Sequence, residues 1–279
     1  TAPIHCPVPL VLTLHDIIFL EPRQGGNRSW YQNMGWYYRR MVVPRILSQC
    51  EKIITVSHFE CNRIREALQL PKDKITAIYN GYSEHFRPLS ETLSITRKYI
   101  DDDDYIFFLG NTDPKKNVAR TLKAYSLYLK QSDKKRPLLI ADLSKDKLDA
   151  ILREQQIEEI KPYLSYPGYI PNKDLAYLYN GAFVFLYTSL RESFGIPMLE
   201  AMACGTPVIT GNTSAMPEIA GEGGILVNSL NAKEIAEKIL YLEQDQIFYQ
   251  NQIKYGLNRV QKFSWAQTAE NLLSLYKTI

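Results

Sequence analysis

The chain is poor in cysteine and has no long apolar run. Its four cysteines, Cys6, Cys50, Cys61 and Cys204, show neither disulfide nor metal-site spacing across 279 residues. That usage fits a reducing cytoplasm and argues against a disulfide-built scaffold. No apolar run approaches the roughly 18 residues needed to span a bilayer. No basic stretch precedes the first apolar run, Pro9-Leu10-Val11-Leu12, so a secretory signal is not expected there. Residues 9–14 already read as a strand inside a domain, and an upstream segment is expected on that ground. An excess of one charge is also missing: 33 basic and 30 acidic side chains leave +3, which gives no reason to expect nucleic acid as a partner. His5, His58 and His85 share no ligand spacing with nearby Cys or His, and no internal repeat is found. No metal site is expected.

What is present is enough apolar sequence, 45% of the chain, for two domains of ordinary size. From residue 105 to about 245, strand-like and helix-like stretches alternate. Strands are expected at Tyr105–Leu109, Leu138–Ala141, Tyr163–Tyr166, Ala182–Tyr187 and Pro207–Thr210. Helices are expected at Val118–Lys130, from Lys145, from an N-cap at Asn172 through Tyr179, after Pro197, and at Ala232–Leu242. Such alternation predicts an α/β fold with parallel strands and helices on both faces. Before residue 90 a shorter version appears, with strands Leu10–Leu14, Lys52–Val56 and Lys74–Ile78 and helices near Trp30–Leu47 and Phe59–Leu70. Pro44 should end or kink the first of these helices. The polar segment Pro88–Asp104 reads as a linker, and its four aspartates as a solvated charge run rather than a metal site.

The densest information lies in Glu192-Ser193-Phe194-Gly195-Ile196-Pro197-Met198-Leu199-Glu200, between a strand and a helix. In open parallel sheets, ligands bind where loops leave the carboxyl ends of the strands. Pro197 suits the start of a helix, where its missing N–H is no loss. The free N–H groups of a first turn favour an anion, and Gly195 lets a ligand come close to the backbone. Ionised Glu192 and Glu200 accept hydrogen bonds without donating them, which suits hydroxyl groups. A ligand bearing both phosphate and hydroxyls, such as a sugar nucleotide, matches that combination. An ordinary strand–helix connection with two solvated glutamates matches it as well.

Other stretches stand at equivalent places. His15-Asp16 follows the first strand, as a histidine facing a cleft or as a polar strand end with Asp16 in a turn. Gly110-Asn111-Thr112-Asp113-Pro114-Lys115-Lys116-Asn117 follows the strand at 105–109; its lysines could reach a diphosphate or simply be solvated. Gly168-Tyr169-Ile170-Pro171 closes the strand at 163–166. Trp30, Tyr31, Trp36, Tyr37, Tyr38, Arg39, Arg40 and Arg45 form an aromatic and basic patch, suited to packing or to a membrane surface.

The run Glu192–Thr210, E-S-F-G-I-P-M-L-E-A-M-A-C-G-T-P-V-I-T, resembles the signature of retaining glycosyltransferases of family four. The resemblance extends over nearly the whole chain. It implies the GT-B fold, two Rossmann-like domains facing a cleft. The N-terminal, acceptor-side domain would occupy 1–95 and be incomplete, with Val56-Ser57 and Asn80-Gly81 as scaffold and hinge. The donor domain would occupy 96–262, and a last helix, 263–279, would pack back on the first domain. By the same resemblance, Glu192 contacts the donor sugar, Glu200 the ribose, and His15 orients the sugar. Gly110, Asn111, Lys115, Lys116 and the backbone of Ser193, Phe194, Gly195 and Ile196 hold the diphosphate, and Tyr169 and Ile170 meet the base. Asn111 departs from the family pattern, which has Arg there; a neutral amide lacks the charged bidentate clamp of Arg. The implied activity is metal-independent, retaining transfer of a hexose from a GDP- or UDP-linked sugar to a glycan or lipid-linked acceptor. It would serve cell-surface polysaccharide synthesis in the cytoplasm, at the inner face of the membrane, without a separate cofactor. A sugar-nucleotide epimerase or phosphorylase of the same fold, or a binding module without transfer activity, are the alternatives.

Overall fold

The computed structural model describes residues 6–20, 30–111 and 113–279, without the side chains of 31–33. His5, Thr112 and the Tyr31 side chain, all part of the sequence reading, lie outside the described residues. The chain forms two compact units, residues 1–81 with 265–279, and residues 82–264.

The first unit holds a parallel sheet in the order β1 (Leu10–Thr13), β2 (Cys50–Thr55), β3 (Ile75–Ala77). Helix α1 (Trp30–Leu47) connects β1 to β2, and α2 (His58–Leu68) connects β2 to β3. Ser57 caps α2 by accepting from the Glu60 N–H at 3.2 Å, which satisfies one orphan donor of the first turn. Pro44 does not break α1 in its middle. The helix runs on to Leu47, because only its last turn follows the proline. Val42, Ile46 and Leu47 bury one side of α1, while Trp30, Met34, Tyr37, Tyr38 and Met41 are exposed. The aromatic residues of the basic patch are therefore largely surface. The C-terminal helix, named α11 below, belongs to this unit, and its Thr268 hydroxyl donates to the Tyr79 carbonyl at 2.7 Å.

The second unit is built on a six-stranded parallel sheet. Its order is β6 (Leu164–Gly168), β5 (Leu138–Ala141), β4 (Tyr105–Leu109), β7 (Ala182–Tyr187), β8 (Val208–Gly211), β9 (Gly224–Val227). Tyr105, Ile106, Phe107, Leu138, Leu139, Ile140, Val184, Phe185 and Leu186 are fully buried, as expected for strands covered on both faces. The helices are α3 (Leu93–Thr96), α4 (Val118–Leu129), α5 (Lys145–Gln155), α6 (Asn172–Gly181), α7 (Ile196–Ala203), α8 (Met216–Ala220), α9 (Ala232–Gln244) and α10 (Gln246–Val260), followed by α11 (Trp265–Tyr276). Strand order reverses between β4 and β7. That is the switch point at which a doubly wound sheet opens a crevice.

Three further expectations need correction. The strand near Pro207–Thr210 does not complete the sheet, because β9 pairs alongside β8 as a sixth strand. Asn172 is the first residue of α6 rather than its cap. Pro171 precedes it at φ −59°, and the Asp174 N–H bonds the Pro171 carbonyl. The segment 88–104 is not a bare linker. It carries α3, packs against α6, buries Ile100, and anchors through Leu89 N–H to Asn180 Oδ1 (2.8 Å) and Tyr99 hydroxyl to Asp174. Asp104 pairs with the buried Arg136 at 2.6 Å, and Asp103 pairs with Arg97 at 2.7 Å. The aspartate run is polar enough to read as linker, but Asp103 and Asp104 meet Arg97 and Arg136.

Candidate functional site

Four loops converge at the carboxyl ends of β4, β7, β8 and β9, and hydrogen bonds lock them together. The Asn117 amide donates to the Thr188 and Ser229 carbonyls at 3.1 and 2.7 Å. Leu190 N–H bonds the Lys115 carbonyl at 2.7 Å, and the Thr213 hydroxyl bonds the Leu190 carbonyl at 3.1 Å. Glu192 N–H donates to Ser214 Oγ at 3.0 Å, and the Ala215 N–H to the Glu192 carbonyl at 3.3 Å. The loop carrying Glu192 is thus fixed from both sides by groups far away in sequence.

Gly195 opens α7 at φ 104°, a conformation that a side chain resists. A Cβ there would stand 3.3 Å from Tyr187 Cε1. Pro197 has no N–H, and the Met198 N–H turns back to the Gly195 carbonyl at 3.1 Å. The N–H groups of Gly195 and Ile196 remain at the positive end of the α7 dipole. The Phe194 ring is core, buried against Phe263 at 5.9 Å between centroids, so only its backbone is available to a ligand. Ser193 is half-buried on the same turn.

Lys116 and Glu192 meet directly. Nζ lies 2.8 Å from Oε1, with the two side chains 16% and 12% exposed. The ammonium also stands 5.2 Å from the centre of the Tyr187 ring, a cation–π distance. Burial, with Glu192 alongside, holds the Tyr187 hydroxyl well above its usual range, so it stays protonated. The turn Pro114–Lys116 presents this lysine, because Asp113 accepts from the Lys115 N–H at 3.0 Å and Asn117 adopts a left-handed conformation (φ 59°) behind it.

Glu200 sits one helical stretch further along α7, 8% exposed. Burial pushes its carboxyl up to about 7, with the Tyr179 hydroxyl at 3.4 Å from Oε2 acting in the opposite direction. Cys204, one turn on, is pushed up to about 12 by the same burial and the neighbouring Glu200, and remains a thiol. A carboxyl balanced near neutrality can either accept from a hydroxyl or donate to it.

The remaining predicted residues distribute as follows. Asn111 Oδ1 accepts from the Asp113 N–H at 2.9 Å, so its side chain shapes the turn. Gly110 is dictated by packing: a Cβ would come within 3.2 Å of Phe108 Cε1 and Ile140 Cγ2. Lys115 is half-exposed, with Asp113 4.0 Å away. Gly168 at φ 81° turns the chain out of β6, leaving Tyr169 78% exposed and Ile170 buried. His15 lies exposed beyond β1 in the first unit, its carbonyl accepting from the Thr55 hydroxyl at 3.4 Å. Asp16 accepts from the Ile18 N–H at 3.0 Å and so acts as a turn residue. Among the described residues, no group of three or more His, Cys, Asp or Glu side chains is arranged to hold a metal.

Sequence reasoning overlooked Asn117, Tyr179 and Ser214, which position Lys116, Glu200 and Glu192. Asn117 had a local signal, an Asn between a turn and a helix. Tyr179 and Ser214 had none, since their contacts cross between separate elements.

Comparison with known proteins fits this geometry. Residues 93–259 match the family model described as glycosyl transferases group 1, and residues 2–85 match glycosyltransferase family 4. The chain is 29% identical over 273 residues to the O-antigen chain mannosyltransferase B of Escherichia coli, spanning 96% of this chain and 70% of that protein. It is 27% identical over 274 residues to the serotype-specific mannosyltransferase WbdA of E. coli, spanning 94% of this chain but 32% of that longer protein. Among solved structures, the Anabaena protein HepE crystallised with UDP and glucose superposes with a TM-score of 0.77 at 18% identity, over 97% of this chain and 72% of that one. The fold is the GT-B type expected from the sequence, and the chain belongs to the group 1 glycosyl transferases.

Proposed function

We propose that the protein is a retaining, metal-independent hexosyltransferase acting in cell-surface polysaccharide synthesis, with mannose as the transferred sugar. The donor is a GDP- or UDP-linked hexose, and the acceptor is a glycan or lipid-linked glycan at the cytoplasmic face of a membrane. The observation that carries this reading is the Lys116–Glu192 pair beside the N-terminus of α7, with Glu200 buried on the same helix. The two E. coli relatives are named mannosyltransferases, and none of the relatives just described is named an epimerase or phosphorylase.

Lys116, Lys115 and the N–H groups of Gly195 and Ile196 would carry the diphosphate. Arrival of that dianion gives Lys116 a second partner and frees Glu192 to accept from sugar hydroxyls. Glu200 would accept from the ribose, and Tyr169 and Ile170 would meet the base. The diphosphate oxygen takes the acceptor hydroxyl's proton as the bond from sugar C1 to the leaving oxygen breaks and the new C1–O bond forms on the same face. Cations and oriented N–H groups lower the cost of the departing charge, commonly a large catalytic effect. His15 is assigned to sugar orientation by resemblance.

The exposed residues Trp30, Met34, Tyr37, Tyr38 and Met41 recur along one side of α1, with Arg39, Arg40 and Arg45 nearby. That pattern suits a peripheral contact with an anionic bilayer. Flotation with phosphatidylglycerol vesicles tests it, and equal recovery of wild type and a Trp30→Ser, Met34→Ser, Met41→Ser variant refutes it.

Thermal shift with GDP, UDP, ADP and their mannose and glucose conjugates tests the donor assignment, since a ligand that binds the folded state raises its stability. One diphosphate is expected to stabilise clearly above the others, followed by transfer of labelled hexose to a lipid-linked glycan with the α anomer retained. Stabilisation by none of them refutes donor binding.

A further inference from the structure

A second cavity lies on the other side of the turn that presents Lys116. It offers about 660 Å³ between the start of α4 and one face of α5 from Lys147 to Gln155, within the range of small-molecule sites. Its floor is apolar, made by Pro114, Val118, Leu143 and Ile151. Its rim carries three cations, Arg120, Lys123 and Lys147, against one carboxylate, Asp113. Asn111, Asp113, Pro114, Asn117 and Leu190 of the loops described above line it too, but Lys116, Glu192, Gly195, Glu200 and Tyr169 do not, so it adjoins that site without including its charged pair.

Charge and helix geometry agree at this place. Among the described residues, Lys123 and Lys147 have no ion-pair partner, and Arg120 is engaged only by the neutral Asn117 Oδ1 at 2.9 Å. Helices α4 and α5 begin side by side after adjacent strands, and neither has a side-chain cap bond. Both positive dipole ends therefore border the same cavity as the three cations. Like charges gathered at a partly apolar cavity repel one another unless an anion joins them.

We propose that this cavity binds a phosphorylated molecule with an apolar or ring-faced body, distinct from the sugar-nucleotide donor. The phosphate sits among Arg120, Lys123 and Lys147, and the body lies on Val118, Leu143 and Ile151. The inference goes beyond the donor reading and does not depend on it.

1-Naphthyl phosphate is a suitable probe, with 1-naphthol and inorganic phosphate as its two halves. Titration of the full chain at low salt is expected to show saturable binding of naphthyl phosphate, tighter than either half alone. The double charge reversal Lys123→Glu, Lys147→Glu should weaken that binding by roughly tenfold or more, because two attractions become repulsions. Ala150→Trp, which fills the cavity and keeps all three cations, should weaken it as well. Circular dichroism should be unchanged in both variants, which shows them folded, and nucleotide-diphosphate affinity should stay unchanged as well. Absence of naphthyl phosphate binding overturns the proposal. So does naphthol or phosphate binding as tightly, or binding that neither variant weakens. If nucleotides displace the probe and lose affinity in the charge-reversal variant, the cavity is part of the donor site and the separate assignment fails.

Discussion

Glu200 offers the sharpest quantitative test, because its burial ties ligand recognition to stability. Its carboxyl titrates near 4.5 in the unfolded chain and near 7 in the folded one, raised by burial. Between those values the folded state holds the proton and the unfolded state does not. Stability from this group is therefore fully present below about pH 4.5 and declines as pH rises through 7. The gap between 4.5 and about 7, at about 1.4 kcal/mol per pH unit, amounts to about 3 kcal/mol lost by pH 8. Glu200→Gln keeps the shape and removes the titration. Denaturant unfolding of both proteins at pH 5 and pH 8 should show the variant gaining about 2–3 kcal/mol on the wild type across that interval. A carbon-13 titration of the glutamate carboxyls should find one signal near 7 in the wild type that is absent in the variant. Nucleotide affinity should rise from pH 6 to pH 8 in the wild type only, because the ionised carboxylate accepts from a ribose hydroxyl. A stability difference that is flat with pH, or a Glu200 signal near 4.5, would falsify the link between burial and protonation.

The pair at the mouth of α7 and its glycine support two more expectations. Lys116→Ala and Glu192→Ala should each lower turnover roughly tenfold or more with circular dichroism unchanged, and the double variant should lose less than the product, since the partners are 2.8 Å apart. Unchanged turnover in either single variant removes that residue from the mechanism. Gly195→Ala forces a side chain to φ 104° and to 3.3 Å from the Tyr187 ring. It should cost about 1–2 kcal/mol of stability and weaken nucleotide-diphosphate binding. Wild-type stability and affinity together would show that the turn needs no glycine.

Much of the fold was legible because it rests on local pattern. Apolar runs as short as Tyr105–Leu109 and Ala182–Tyr187 suit strands buried on both faces, and the stretches between them have helical spacing. The Glu192–Glu200 signature was legible for a related reason: its Gly and Pro serve one strand–helix turn, and its carboxylates are fixed by their distance along the chain. The linker reading failed because composition does not reveal that Asp104 meets Arg136 or that Ile100 is buried.

The sequence by itself determined the parallel α/β architecture, the turn at Gly195 and the identity of the residues at the strand ends. Only the tertiary structure decided what those residues do to one another. Lys116 and Glu192 come from loops after different strands, yet they form one ion pair. Glu200 reads equally well as an ordinary solvated glutamate until burial on α7 raises it toward 7, against the opposing hydrogen bond from Tyr179. The second cavity exists only because α4 and α5 start side by side. Periodicity encodes which face of an element is buried. Which charges share a low-dielectric space depends on contacts between distant elements, and no local spacing carries that information.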